Sequence, residues 1–214
     1  MYSIGAVPAH EDDPLTVSGP TLTLRYATAE DVPRLFELGA DPAVTRFFSW
    51  GPYETLDEPE AYIASLPERR ARGELLDFLI VHREDGPIGV TGLCDVARRD
   101  RRCTVGTWLG HRWWGSGANF EAKALITALA FRRLGMHRLT ALANTRNGRS
   151  QAALERLGFH REGVLADWHR HGDEYHDVVV FGLLRAGWER TALPSVAAAI
   201  AGTAPPAFAF GDRS

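Results

Sequence analysis

The apolar positions change their period several times along the chain, and each change marks an element. Leu22, Leu24 and Tyr26 alternate with polar neighbours, which predicts a strand. Thr28 and Asp31 then stand as N-capping residues ahead of Val32, Leu35, Phe36 and Leu38, spaced as on a helix. Asp41 to Pro59 reads as an aromatic loop with Phe47, Phe48, Trp50 and Tyr53, and a second helix is expected over 60–72. Leu75 to His82 and Ile88 to Val96 predict strands joined by the Asp85-Gly86 turn, with a third strand over Cys103 to Leu109. From Ala118 the spacing becomes helical, with Leu125, Ala128 and Leu129 on one face and Ala124 and Phe131 beside them, until Gly135 closes the helix after Leu134. His137 to Phe159 reads as a strand, a turn at Asn147-Gly148 and a short helix stopped at Gly158, and Asp177 to Leu184 as the last strand.

Antiparallel strands followed by strand, helix, strand and helix define an α/β (α+β) fold, a mixed sheet with helices on both faces. Residues 1–20 carry Pro8, Pro14, Pro20 and several acids without periodicity, so a flexible arm is expected there. Residues 21–190 form one domain, and 191–214 an Ala- and Pro-containing tail, a short helix followed by coil. The chain of 214 residues, 45% hydrophobic and 24% charged, suits a single soluble domain. Its formal net charge of -3 argues against a general nucleic-acid binder. The tightest basic run, Arg98 to Arg102, is broken by Asp100 and reads as a solvated hairpin tip.

There is no apolar run long enough for a membrane span and no signal peptide, so the expected compartment is the cytoplasm. Cys94 and Cys103 would face each other across two antiparallel strands if Asp95 to Arg102 is a hairpin end; a reducing compartment favours free thiols.

The chemistry is concentrated in Gly106 to Ile126, GTWLGHRWWGSGANFEAKALI, where a strand runs through a glycine-spaced turn into a helix. Glycines let the main chain approach a ligand, and the free N–H groups and positive dipole end of the helix attract an anion. The spacing Arg112-x-x-Gly115-x-Gly117 lacks the longer loop and the Lys-Ser/Thr closure of a nucleotide P-loop. As a dinucleotide fingerprint it fails at Phe120, where a third glycine would be needed for close helix packing. Arg/Gln-x-x-Gly-x-Gly/Ala between strand and helix does resemble the acetyl-CoA pyrophosphate loop of the GCN5-related N-acetyltransferase (GNAT) superfamily. Downstream, Asn147 followed by Ser150, with Leu157-Gly158-Phe159 closing the helix, is similar to the closing motif of its ribosomal-protein-alanine acetyltransferase-like (RimJ/RimL-type) branch. The resemblance covers residues 22–185.

The resemblance implies a mainly antiparallel central sheet splayed at the acetyl-CoA site, and transfer of an acetyl group from acetyl-CoA to a primary amine by direct attack, with no metal. The pyrophosphate would be held by the backbone of Arg112, Trp113, Trp114, Gly115, Ser116, Gly117 and Ala118, with the Arg112 charge assisting. Main-chain groups near Trp108 and Leu109 would hold the pantetheine arm and polarise the thioester. Asn144 and Asn147 are placed to bond the arm's amides, although Asn147 before Gly148 is equally a turn and N-cap residue. Many members use a tyrosine acid three residues before the leucine of Leu-Gly-Phe; here that position is Leu154. Ser150 matches the serine proposed for that role in the ribosomal branch, or is a capping residue.

Four groups are candidate bases: Asp95, at a strand end bordering the acceptor cleft or simply a turn residue; Glu121, whose first-turn position suggests structural service; His171; and Glu174. Three histidines and three acids crowd Trp168 to Asp177, yet His169-x-His171 lacks a specified third ligand, so a polar hairpin is the better reading and no metal is expected. Phe48, Trp50, Trp168 and Tyr175 would line an aromatic, partly acidic acceptor cleft, against the plainer reading that at least half of the loop aromatics Phe47, Phe48 and Trp50 are core. The partner is then a small-molecule or peptide amine, with no nucleic acid or membrane; a homodimer stays open. Alternatives are a catalytically silent CoA-binding module, suggested by Leu154, and an acyltransferase moving a non-acetyl group to a natural-product amine.

Overall fold

The computed structural model describes residues 13–210. Two short strands open it, β1 (Thr16–Ser18) and β2 (Leu22–Arg25). The Asp31 carboxylate accepts the Thr28 N–H (2.8 Å) and a two-pronged bond from Arg25 (2.7 and 2.8 Å), which fixes the turn into α1 (Val32–Gly39). Then come α2 (Pro42–Thr45), α3 (Asp57–Ala71), β3 (Leu75–His82), β4 (Gly86–Ala97) and β5 (Arg102–Leu109). The second half runs α4 (Ala118–Ala128), β6 (Arg138–Asn144), α5 (Gly148–Arg156), β7 (His160–His171), β8 (Glu174–Leu184), α6 (Arg185–Trp188) and β9 (Ala199–Ala201).

Among the described residues the strands form one sheet in the order β7-β8-β6-β5-β4-β3-β2-β1-β9. Every adjacent pair is antiparallel except β5 and β6, which are joined across α4 and pair in parallel only at Arg102–Arg138, Cys103–Leu139 and Thr104–Thr140. Past that point β5 pairs with β4 alone and β6 with β8 alone, so a splayed edge opens in the middle of the sheet. On one face α4 packs into the large core with Phe78, Val105, Leu139 and Phe181; on the other, α1 and α3 bring Leu35 and Ile63 against Leu79 and Val90. The expected mixed sheet with helices on both faces is the fold observed.

Several expectations need correction. The expected arm lies outside the described residues over 1–12, but Leu15 and Val17 are fully buried and Val17 pairs with Leu24. Pro14 and Pro20, which suggested coil, bracket a strand too short for its alternation to show. The 191–214 tail returns to the sheet as β9 against β1, and Phe208 is buried among core residues. The aromatic loop contains α2, capped by Asp41 (Ala43 N–H to Oδ1, 2.8 Å), and α3 begins at Asp57 rather than residue 60. Helix α4 continues from Leu129 to Arg133 with π geometry before Gly135 turns at φ +70°. Cys94 opposes Thr104, not Cys103, and both thiols are free. No helix among the described residues is long and apolar enough to cross a membrane.

Because Phe208 fills the main core, Phe208→Ala is expected to destabilise the fold by about 3–5 kcal/mol. Guanidinium unfolding measures this, and a change below about 0.5 kcal/mol, as at ordinary surface sites, would show the segment to be a detachable tail.

Candidate active site

The splay is built by what each strand does after its shared segment. Residues 105–109 of β5 remain bonded to β4, and Leu109 is finished by Trp114, whose indole N–H donates to the Leu109 carbonyl (2.9 Å). The chain then makes a single 3-10 turn, His111–Trp113, and passes through Gly115 (φ +78°) and Gly117 (φ +93°) into α4. Both glycines occupy left-handed backbone that a side chain would strain, and a Cβ at either would meet nothing within 4 Å. The open space over two left-handed glycines at the head of an eleven-residue helix is a cradle that a Cβ would fill, as close approach of a pyrophosphate requires.

Arg112 is exposed beside this turn with Asp85 at 3.7 Å, and Arg112, Ser116, Gly117, Ala118 and Phe120 line a hollow there. The Trp113 ring is buried in the core, so only its backbone belongs to the turn. Arg149, at the start of α5, stacks its guanidinium on Trp114 at 3.1 Å. Across the splay, Asn144 ends β6 and is buried; its Oδ1 accepts the Arg146 N–H (2.8 Å). Asn147 Oδ1 accepts the Ser150 N–H (3.1 Å), so Asn147 is the N-cap of α5, and Ser150 provides the capped amide while its half-buried hydroxyl takes no part in the cap. Leu154, at the tyrosine position of the resemblance, is core.

On the face covered by α1 and α3, the register aligns Asp77, Gly92 and Gly106 across β3, β4 and β5, with Trp108 one step along. Trp50 lies against Trp108 (5.4 Å between ring centres), Tyr53 (5.2 Å) and Phe48 (5.4 Å). Phe47, Phe48 and Trp50 are all half-buried, so none is the core residue that the plainer reading expected. The β7–β8 hairpin reaches this loop, where the His171 ring meets the Phe48 carbonyl. Trp168 and Tyr175 project from the hairpin 55% and 59% exposed, unpacked against the loop aromatics.

Of the expected bases, Glu121 accepts the N–H groups of Thr21 (2.7 Å) and Leu22 (2.8 Å) and pins β2 to α4, a structural duty. Asp95 is exposed at a bulge with φ +51°, its carboxylate 3.5 Å from the Cys94 Sγ. Glu174 is exposed beside His176 (3.8 Å). No three His, Cys, Asp or Glu side chains among the described residues gather as metal ligands.

Two ionisable groups were missed. Asp77 lies partly accessible in β3, where Tyr62 Oη donates to its Oδ2 (2.6 Å) and its Oδ1 sits 1.7 Å from where a Cβ on Gly92 would stand. Burial pushes its pKa up to about 6 against the opposing pull of the Tyr62 bond and Arg69. Lys123 is buried in α4, and burial alone pulls its ammonium down to about 7. A sequence signal existed for each: one acid inside the apolar strand LLDFLIV, and one lysine inside the apolar helical run AKALITALA.

A family model described as acetyltransferase (GNAT) domain matches residues 21–160, and the chain belongs to that family. It is 29% identical over 165 residues to the uncharacterized N-acetyltransferase p20 of Bacillus licheniformis, covering 77% of this chain and 93% of that one. It is 32% identical over 102 residues to the [ribosomal protein uS5]-alanine N-acetyltransferase of Escherichia coli K12, covering 47% of this chain and 53% of that one. The spermidine N-acetyltransferase of Vibrio cholerae, solved with CoA and spermine, shares the fold with a TM-score of 0.68 at 20% identity, over 79% of this chain and 99% of that one. The protein is accordingly an N-acetyltransferase of the GNAT family, which uses acetyl-CoA.

The Lys123 amine holds fewer protons folded than unfolded between pH 7 and 10.5, so its burial penalty is complete below that window and relieved as pH rises through it. Lys123→Met is therefore expected to be more stable than the wild type at pH 6, with the gap closing by up to about 1.4 kcal/mol per pH unit toward pH 10. Urea midpoints of both proteins at pH 6, 8 and 9.5 check this; a constant gap would place a charged lysine there.

Proposed function

We propose that the protein acetylates a primary amine, on a protein N-terminus or a small molecule, by direct attack on acetyl-CoA held in the splay between β5 and β6. The observation that carries this reading is the pairing of an opened sheet centre with an unfilled double-glycine turn at the head of α4. When bound, acetyl-CoA supplies a thioester carbon that accepts the amine.

The chain's own residues divide the work. The backbone from Arg112 to Ala118 and the Arg112 charge hold the phosphates, the unshared edge of β5 at Trp108 and Leu109 takes the pantetheine arm, and Asn144 bonds it from the facing strand. Asn147 acts through the cap it provides, which holds the first turn of α5 and therefore Ser150. Ser150 protonates the leaving thiolate, and Asp95 is the acceptor-side base that the sequence offers. Phe48 and Trp50, backed by Trp108, wall the acceptor cleft, and Trp168 and Tyr175 offer further exposed aromatic surface on the β7–β8 hairpin. The peptide-terminus reading draws support from the uS5-alanine relative, and the small-amine reading from the spermidine enzyme of like fold. Two free thiols accord with a reducing cytoplasm as the place of action.

Release of free thiol from acetyl-CoA, measured against N-terminal peptides, amino acids, polyamines and amino sugars, tests the acceptor. Gly117→Val is expected to weaken CoA binding at least tenfold by calorimetry in a folded protein, because Gly117 holds φ +93° over open space. Unchanged affinity would remove the loop from the cofactor site. Ser150→Ala is expected to lower kcat by about 10²-fold, within the usual range for a proton-transfer group, with CoA affinity retained; an unaffected rate would leave Ser150 a structural residue.

A further inference from the structure

We propose that Asp77 is the acceptor-side catalytic base and that the amine is seated over Gly106, between this carboxylate and the splay. This rests on the amine-acetylating reading above and gives it a base that lies inside the fold rather than at the exposed Asp95.

The geometry starts from two glycines. Asp77, Gly92 and Gly106 are direct register partners on three consecutive strands, so their side-chain directions share one face. The Asp77 side chain lies across β4 toward β5: its Oδ1 stands where a Cβ of Gly92 would be, which any other residue there would forbid. Over Gly106, one strand further, a Cβ would meet nothing within 4 Å, and the residue is solvent-exposed. With strands about 4.8 Å apart, a nitrogen over Gly106 falls within reach of Oδ1 through one bridging water. On its other side it faces the edge of β5 just past Thr104, the last residue paired to β6, so the same nitrogen borders the splay. The Gly106 backbone is itself fixed, since Thr91 Oγ1 donates to its carbonyl (2.9 Å).

Tyr62 orients the carboxylate by holding Oδ2 at 2.6 Å, which leaves Oδ1 as the working oxygen. The titratable and charged groups facing the pair are Tyr53, Arg69 and Cys94; Arg69 and the Tyr62 bond draw the Asp77 pKa down while burial raises it to about 6. The group is thus ionised at neutral pH, with a basicity better matched to proton uptake than that of an exposed aspartate. In the reaction, the neutral amine nitrogen bonds the thioester carbonyl carbon, and the carbon–sulfur bond breaks with its electron pair going to sulfur. The proton lost by nitrogen passes through that water to Asp77 Oδ1 and on to solvent, while the thiolate takes a proton from Ser150, whose hydroxyl is restored from solvent, so amine and thioester become amide and thiol.

The test uses Asp77→Asn, Asp77→Glu, Tyr62→Phe, Asp95→Asn and Gly106→Val with an amine turned over by the wild type. Asp77→Asn should lower kcat about 10²-fold or more with unchanged CoA affinity, and Asp77→Glu should restore part of it. The wild-type rate should fall below about pH 6, and Tyr62→Phe should move that limb to higher pH by removing a bond that favours the ionised form. Independently of turnover, a carboxyl carbon titrating near pH 6 in 13C NMR should vanish in Asp77→Asn. Gly106→Val, a strand-compatible change into open space, should raise the KM for the amine at least tenfold and leave CoA binding intact. A rate within threefold of wild type for Asp77→Asn, or an unaltered amine KM for Gly106→Val, overturns the assignment. A loss confined to Asp95→Asn returns the base to the strand end. Turnover of no amine by the wild type, with CoA still bound, overturns the amine acceptor and this assignment with it.

Discussion

Three parallel residue pairs, Arg102–Arg138, Cys103–Leu139 and Thr104–Thr140, hold the two halves of the sheet together, and their ending after the third is the constraint on which the site depends. A strand that loses one neighbour must keep its other, and each does: β5 stays on β4 to Leu109, and β6 stays on β8 to Asn144. The opening therefore exposes main-chain groups on two rigid strands rather than on loops, which is where a flexible acyl arm gains most from preorganised partners. Trp114 bonding the Leu109 carbonyl and Asn147 capping α5 stop each strand's exit from wandering.

Glycine recurs in the site with two different physical duties. At Gly115 and Gly117 it permits a backbone conformation, whereas at Gly92 and Gly106 the dihedrals are ordinary and what counts is the missing side chain. The second kind creates a bare strip across β4 and β5, bordered by the Asp77 carboxylate at one end and stacked aromatics along one side.

This difference explains what could be read from the chain. The glycine turn is local, so its residues and spacing announced it, as did the Asn147 cap and the strands Leu75–His82 and Cys103–Leu109. The bare strip exists only through the register of three strands, and no local pattern joins Asp77 to Gly106. The same limit hid β1, three residues long between prolines, whose partners come from β2 and from β9 near the other end. A strand-end acid such as Asp95 is conspicuous in sequence, while Asp77 sits among apolar letters that describe the strand better than the site.

The junction of β9 with β1 also shapes how the chain comes to be made. Val17 is synthesised long before its partner Ile200. Contacts so distant in sequence close slowly, so the growing polypeptide must carry an unfinished sheet border, with an unpaired row of backbone donors and acceptors, from the synthesis of β1 until that of β9. During that interval the nascent chain offers a template for pairing with another chain, and β9 acts as the seal that withdraws it.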